Sequence, residues 1–254
     1  MDLGLSGKRA LVTGSSRGIG KAVAERLVAE GAAVAICSRN EESVDKTAAE
    51  LRGLGGKVFS RAFDVTDGEA LRAFIDDAAA DFGGLDILVS NVSGGSMKGP
   101  DQWLDSLNAD LMPLVHSIDA ATPHLEAAGG GNIVAISSTF GFDTVWPSGP
   151  NSYGALKAAV IRHASAAGHA LAAKGIRVNT VSPGPIEFEG GDWGKMKTGR
   201  PEVYDRVKAS IPVGRHGTLD EISAAIVFLA SPAASFCVGV NLVVDGGMTA
   251  RVQF

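Results

Sequence analysis

Only two of the 254 residues are cysteines, Cys37 and Cys237, and they form neither a CxxC pair nor a zinc-ligand pattern. They read as small buried apolar side chains. The five histidines contain no HExxH and no pair four residues apart, so no metal is assigned. No apolar run approaches the roughly 20 residues needed to span a bilayer. There is no cluster of Lys and Arg, and a net charge of -5 offers no basic surface for nucleic acid. The opening MDLGLSGKRALVTG passes straight from its apolar residues into a glycine turn, with no cleavage-like site, and is not read as a signal peptide. The expected compartment is a reducing cytoplasm.

What is present is a regular alternation. Short continuous apolar runs, RALVT at 9–13, AAVAIC at 32–37, LDILVSN at 85–91 and NIVAISS at 132–138, are separated by longer helical patterns. Lys57–Val65, Ile176–Ser182 and Asn241–Asp245 complete about seven strands. Helices are expected at Ile19–Glu30, Glu41–Leu54, Asp67–Phe82, Asp101–Ala128 (interrupted by Pro113), Tyr153–Lys174 and Thr218–Ala230. Thr218 and Glu221 have the spacing of a capping box. Unbroken apolar strands between helices predict an α/β fold, a Rossmann-type doubly wound parallel sheet with helices on both faces, as a single domain over 1–254. Residues 185–216, rich in Gly and Pro, break the alternation and read as a loop-like substrate lid after a strand end.

Between the first strand and the first helix stands Thr13-Gly14-Ser15-Ser16-Arg17-Gly18-Ile19-Gly20. Gly14 permits a tight turn, while Gly18 and Gly20 let backbone amides and the helix start approach a pyrophosphate. The spacing G-x-x-x-G-x-G is not that of a P-loop, which argues against ATP or GTP. The second strand ends in Cys37-Ser38-Arg39, with no carboxylate for a ribose 2′-hydroxyl. A hydroxyl at Ser38 and guanidinium groups at Arg39 and Arg17 suit a 2′-phosphate, so the reading favours NADP(H) over NAD(H).

Tyr153-Gly154-Ala155-Leu156-Lys157 opens a helix, and residues four apart share a face. The ammonium beside the phenol favours phenolate and makes Tyr153 a candidate general acid or base. Ser138 ends the fifth strand at the same end of the sheet and can hold a substrate oxygen.

Taken together, TGSSRGIG at 13–20, Asp64-Val65, NVSG at 91–94, Ser138, YGALK at 153–157, Pro183-Gly184 and Asp245-Gly246-Gly247 make the chain resemble a classical short-chain dehydrogenase/reductase over essentially its whole length. The resemblance implies that Ser138 positions the substrate oxygen, that Tyr153 exchanges the proton, and that Lys157 holds the nicotinamide ribose and tunes the Tyr. It also implies that Asp64 and Val65 bind adenine, that Asn91 lines the cofactor, and that Pro183, Gly184 and Ile186 flank the nicotinamide. A homotetramer or homodimer is implied as well. Two departures stand out. Asp110 occupies the position of the family's fourth catalytic residue, an Asn whose carbonyl orders a relay water; Asp110 is expected to keep that relay at a helix distortion supported by Pro113. The stretch after Pro183 reads Pro183-Gly184-Pro185-Ile186-Glu187-Phe188, without the family's Thr.

Phe140, Phe142, Trp146, Phe188, Trp193 and Met196 are expected to border the substrate and suggest an apolar carbonyl compound. The lid charges are balanced and give no support to a strongly acidic protein partner. The residues therefore point to an NADP(H)-dependent oxidoreductase acting on a ketone, a 3-oxoacyl group or an alcohol. The alternative is a cofactor-binding sensor or scaffold with little chemistry, which the departures at Asp110 and Glu187 allow and the intact Ser138, Tyr153 and Lys157 oppose.

Overall fold

Each apolar run becomes a parallel strand because both of its faces can be covered. In the computed structural model, which describes residues 2–96, 98–144 and 150–250, the strands are β1 (Arg9–Val12), β2 (Ala33–Ser38), β3 (Val58–Ala62), β4 (Ile87–Ser90), β5 (Gly131–Ile136), β6 (Ile176–Pro183) and β7 (Asn241–Val244). They form one seven-stranded sheet in the order β3-β2-β1-β4-β5-β6-β7, parallel throughout. Successive side chains alternate between the faces. Ala10, Val12, Val34 and Ile36 enter one core, whereas Leu11, Ala35 and Cys37 enter the other.

The first core is closed by α1 (Gly18–Ala29), α2 (Glu41–Gly53) and α9 (Leu219–Ala230). The second is closed by α3 (Gly68–Phe82), α5 (Met112–Ala127) and α6 (Ser152–Leu171). The doubly wound sheet read from the alternation is thus present. Cys37 is fully buried, and burial pushes its thiol up to about 12, so it is no nucleophile. Cys237 is free and only half-buried, which corrects the expectation of burial for both.

Two other expectations are refined. The helix expected over Asp101–Ala128 with an interruption at Pro113 is a short α4 (Gln102–Ser106), a π-helical turn over Leu107–Leu111 and then α5, so the break lies just before Pro113. Pro113 sits in the first turn of α5, where its missing N–H costs little. The loop expected over 185–216 contains two helices, α7 (Asp192–Gly199) and α8 (Pro201–Ser210). Helix α8 has Pro201 in its first turn and buries Val203, Tyr204 and Val207; α7 has no buried residue to announce it.

The capping box of α9 forms as predicted, with the Thr218 hydroxyl accepting from the Glu221 amide and the Glu221 carboxylate accepting from the Thr218 amide at 2.9 Å. Bonds from Arg215, and then from the Thr218 amide, hold Glu221 down at about 2. Because the folded value lies below the unfolded one, this contribution to stability is complete above the ordinary carboxylate range and is lost as pH falls toward the folded value. The stability gap between wild type and Glu221→Gln should therefore be widest near neutral pH and close on acidification, as urea denaturation at several pH values would read. A gap that does not change with pH would contradict this. Thr218→Ala should cost about 1 kcal/mol.

Candidate active site

Parallel pairing brings the C-terminal ends of β1, β4, β5 and β6 to one edge of the sheet, where open α/β sheets bind ligands. The glycine turn leaves β1 there. A Cβ on Gly20 would lie 2.4 Å from the Gly14 carbonyl oxygen and 2.5 Å from the Asn91 side-chain nitrogen, so only glycine fits. Gly14 and Gly18 have φ of +65° and +56°, a region that side chains resist. Asn91 pins the turn: its side-chain amide donates to the carbonyls of Thr13 and Gly14 at 3.1 and 3.0 Å. This role was not read from the sequence, which placed Asn91 only as a cofactor-lining residue.

The start of α1 has no side-chain cap and no acid in its first turn. Its free amides and the positive end of the helix dipole face the glycine cradle, an arrangement that fits a pyrophosphate. Ser16 lies within the cradle, its carbonyl accepting from Thr47 at 3.3 Å, and Ile19 packs against the first core. Arg17 is exposed and donates to the Gly190 carbonyl at 3.4 Å, at the root of the lid segment. Arg39 is exposed at the end of β2, and Ser38 donates to the Asn40 carbonyl at 2.9 Å. Asp64 accepts from the Thr66 amide at 3.0 Å, beside the buried Val65. Pro183 ends β6, the Gly184 amide bonds the Val244 carbonyl at 3.0 Å, and Ile186 joins the first core. Phe188, where the family has Thr, lays its ring against Gly18.

On the other side of this edge, Asn151 caps α6 by accepting from the Gly154 amide at 2.7 Å. Tyr153 and Lys157 follow on one face, with the ammonium 5.6 Å from the centre of the Tyr153 ring. The turn after β5 lies flush on this helix, because a Cβ on Gly141 or Gly154 would meet backbone at 2.9 or 2.8 Å. That contact brings Ser138 to the helix. The Ser138 hydroxyl accepts from the Phe140 amide at 3.2 Å, and the Phe140 ring meets Tyr153 edge-on at 5.7 Å. Ser138 and Tyr153 are half-buried, whereas Lys157 is buried.

Asp110 is brought to the same point by its side chain. Its Oδ1 forms an ion pair with Lys157 Nζ at 3.1 Å and accepts from the Ser93 hydroxyl at 2.6 Å. The pair is nearly inaccessible, with side-chain exposures of 2% for Lys157 and 0% for Asp110. Lys157 also donates to the Ile136 carbonyl at 3.1 Å. Asn108, two residues earlier, is exposed. The Asp at 110 and the Ser in NVSG are therefore one coupled feature. The sequence contained both residues, but nothing in their spacing said that they touch.

Of the expected substrate-bordering residues, Phe140 contacts Tyr153 and Phe188 lies on the glycine turn. Trp193 packs on His216 at 5.0 Å within the lid segment. Trp146 lies outside the described residues. The structure adds a cluster that sequence reading missed. Glu187 accepts from Tyr204 of α8 and from Lys197 of α7, the latter at 2.6 Å. Those two bonds hold the Glu187 carboxyl below its ordinary value.

The protein-family model described as "Enoyl-(Acyl carrier protein) reductase" matches residues 14–249. The chain is 37% identical to the isoepoxydon dehydrogenase of Aspergillus clavatus, over 98% of each sequence. It is 40% identical to the cis-4-hydroxycyclohexanecarboxylate dehydrogenase of Sinomonas cyclohexanicum, over 95% of this chain and 96% of that one. The L-sorbose reductase of Gluconobacter frateurii, solved with NADPH and L-sorbose, superposes with a TM-score of 0.90 at 30% identity, covering 99% of this chain and 100% of that one. The glycine turn, the parallel sheet and these likenesses together place the chain in the classical short-chain dehydrogenase/reductase family.

Proposed function

We propose that the protein is an NADP(H)-dependent oxidoreductase that interconverts an apolar, cyclic ketone and its secondary alcohol. The observation that carries this reading is the phenol of Tyr153 beside the buried Lys157 ammonium, with the Ser138 hydroxyl brought to the same helix by the turn after β5.

A nicotinamide held in this cleft would supply or accept the hydride. In the direction of reduction, the Ser138 hydroxyl hydrogen-bonds the carbonyl oxygen and Tyr153 gives that oxygen its proton as the C–H bond forms. The Lys157 ammonium stabilises the phenolate left behind. Two of the three Lys157 protons are engaged by Asp110 and the Ile136 carbonyl. The third is available to a ribose hydroxyl. Asp110 fixes the ammonium through its carboxylate, where the family uses a main-chain carbonyl and a water.

The glycine cradle and the uncapped start of α1 would hold the pyrophosphate, and Asp64 and Val65 the adenine. Arg39 and Ser38 would face the 2′-phosphate, joined by Arg17 if it leaves the Gly190 carbonyl. Pro183, Gly184 and Ile186 would flank the nicotinamide, and Asn91 supports the turn beneath it. Phe140, Phe188 and Trp193 would supply apolar surroundings that favour a ring ketone, and the ring alcohol named for the Sinomonas relative is of that class.

Consumption of NADPH should depend on added cyclohexanone-type ketones and be slower with straight-chain 3-oxoacyl thioesters. If no ketone accelerates NADPH loss and no ring alcohol reduces NADP, the reading is wrong. For the cofactor, Arg39→Glu should raise the KM for NADPH about tenfold or more and leave that for NADH nearly unchanged. A wild-type preference for NADH would overturn the choice of NADP(H).

A further inference from the structure

The short segment that follows β4 touches both halves of the cleft. Asn91 holds the glycine turn, and Val92 packs on it, since a Cβ on Gly14 would lie 2.7 Å from a Val92 methyl group. Ser93, the next residue, serves the other half. Its hydroxyl donates to Asp110 Oδ1 at 2.6 Å, within the range of a charge-assisted O–H···O⁻ bond, and accepts from the Gly95 amide at 3.1 Å. With an amide on one lone pair and the carboxylate on its proton, the hydroxyl has a fixed direction.

The carboxylate so held is used unevenly. Oδ1 meets both the Ser93 hydroxyl and the Lys157 ammonium, the latter at 3.1 Å, whereas Oδ2 is buried and has no hydrogen-bond partner among the described residues. A buried carboxylate oxygen without a partner is costly, and the ammonium is the cation beside it. Rotation of the carboxylate toward a two-oxygen grip on Nζ would relieve that cost. It would also draw in the third ammonium proton, the one committed neither to Oδ1 nor to the Ile136 carbonyl. The Ser93 bond opposes the rotation, because it ties Oδ1 to the segment after β4.

We propose, on the reading of the protein as an NADP(H)-dependent oxidoreductase, that Ser93 is a positioning residue. It holds the Asp110 carboxylate in a one-oxygen contact with Lys157 and so keeps one ammonium proton free for the nicotinamide ribose. Ser93 is exposed, unlike Asp110 and Lys157, so its side chain can be changed without opening the core. A serine that served the fold alone would change stability and leave NADPH affinity as it is.

The test is Ser93→Ala in the full chain, read by fluorescence titration with NADPH and by steady-state ketone reduction. Loss of the hydroxyl should weaken NADPH binding about tenfold and lower kcat by a similar factor, while the KM for the ketone stays within about twofold. Ser93→Thr, which keeps a hydroxyl, should restore most of both. In an Asp110→Asn background, where no second anionic oxygen draws the ammonium, Ser93→Ala should weaken NADPH by about twofold or less. Wild-type affinity and turnover in Ser93→Ala would overturn the proposal. So would a loss of the same size in the Asp110→Asn background, since Ser93 would then act on the cofactor without the carboxylate. Equal impairment in Ser93→Thr and Ser93→Ala would take the role away from the hydroxyl and overturn it as well. Because the titration needs no turnover, a wild-type chain that binds NADPH but reduces no ketone would sink the proposed function and leave Ser93 to be judged by binding.

Discussion

Tyr153→Phe is expected to slow ketone reduction by about 10²–10⁴-fold, the usual size of a general acid's contribution, while leaving cofactor affinity nearly unchanged. The substitution removes one oxygen. The ring that remains still meets Phe140, found 5.7 Å away, and still lies over the Lys157 ammonium, so neither packing nor the position of Lys157 should change. The loss should therefore fall on kcat. Steady-state kinetics with NADPH, together with a direct titration of NADPH binding, would separate the two effects. Turnover surviving within about tenfold would remove Tyr153 from the role of proton donor.

A double-mutant cycle on Asp110 and Lys157 should show the largest coupling in the molecule. Two charges meet at 3.1 Å with almost no solvent access. Removing one partner strands the other in a medium that solvates it poorly, which costs about 3–5 kcal/mol. Asp110→Ala and Lys157→Met should each show a loss of that order in urea denaturation. The double variant, which strands neither charge, should be more stable than the sum of the single losses by about 2 kcal/mol or more. Strict additivity would mean that the pair does not act as a unit. Asp110→Asn should be the mildest single change, because an amide oxygen can still accept from both Lys157 and Ser93.

The features that could be read from the chain were those whose meaning is local. Gly14, Gly18 and Gly20 announce a tight turn between β1 and α1 because the constraint acts within one turn of backbone. Tyr153 and Lys157 announce a shared face because helical spacing decides it. The strands could be read because a sheet buried on both sides leaves an uninterrupted apolar run. What stayed hidden depends on distant partners. Ser93 and Asp110 are brought together by the ends of different elements, and a carboxylate amid apolar helix residues gives no hint of which cation will meet it. Helix α7 stayed hidden because its segment, rich in Gly and Lys, has no apolar stripe. Helix α8 left a weak trace in Pro201 followed by Val203, Tyr204 and Val207, which the surrounding glycines and prolines outweighed. His216 was silent because a lone histidine in a loop carries no spacing to interpret.

The widened turn at Leu107–Leu111 sets the angular phase between α4 and α5. Each residue of a regular helix advances the backbone by about 100°, so deleting a single residue there would swing α4 by that angle against α5. Ser106 would then leave Ser152, which it now meets at 2.8 Å beneath the start of the Tyr153 helix, and the solvent-facing Trp103 and Leu104 would be carried toward new neighbours. The length of this segment accordingly matters to the proposed catalytic apparatus as much as the identity of Asp110 does. Grafting the helix pair into a related scaffold would succeed only if the extra residue travels with it.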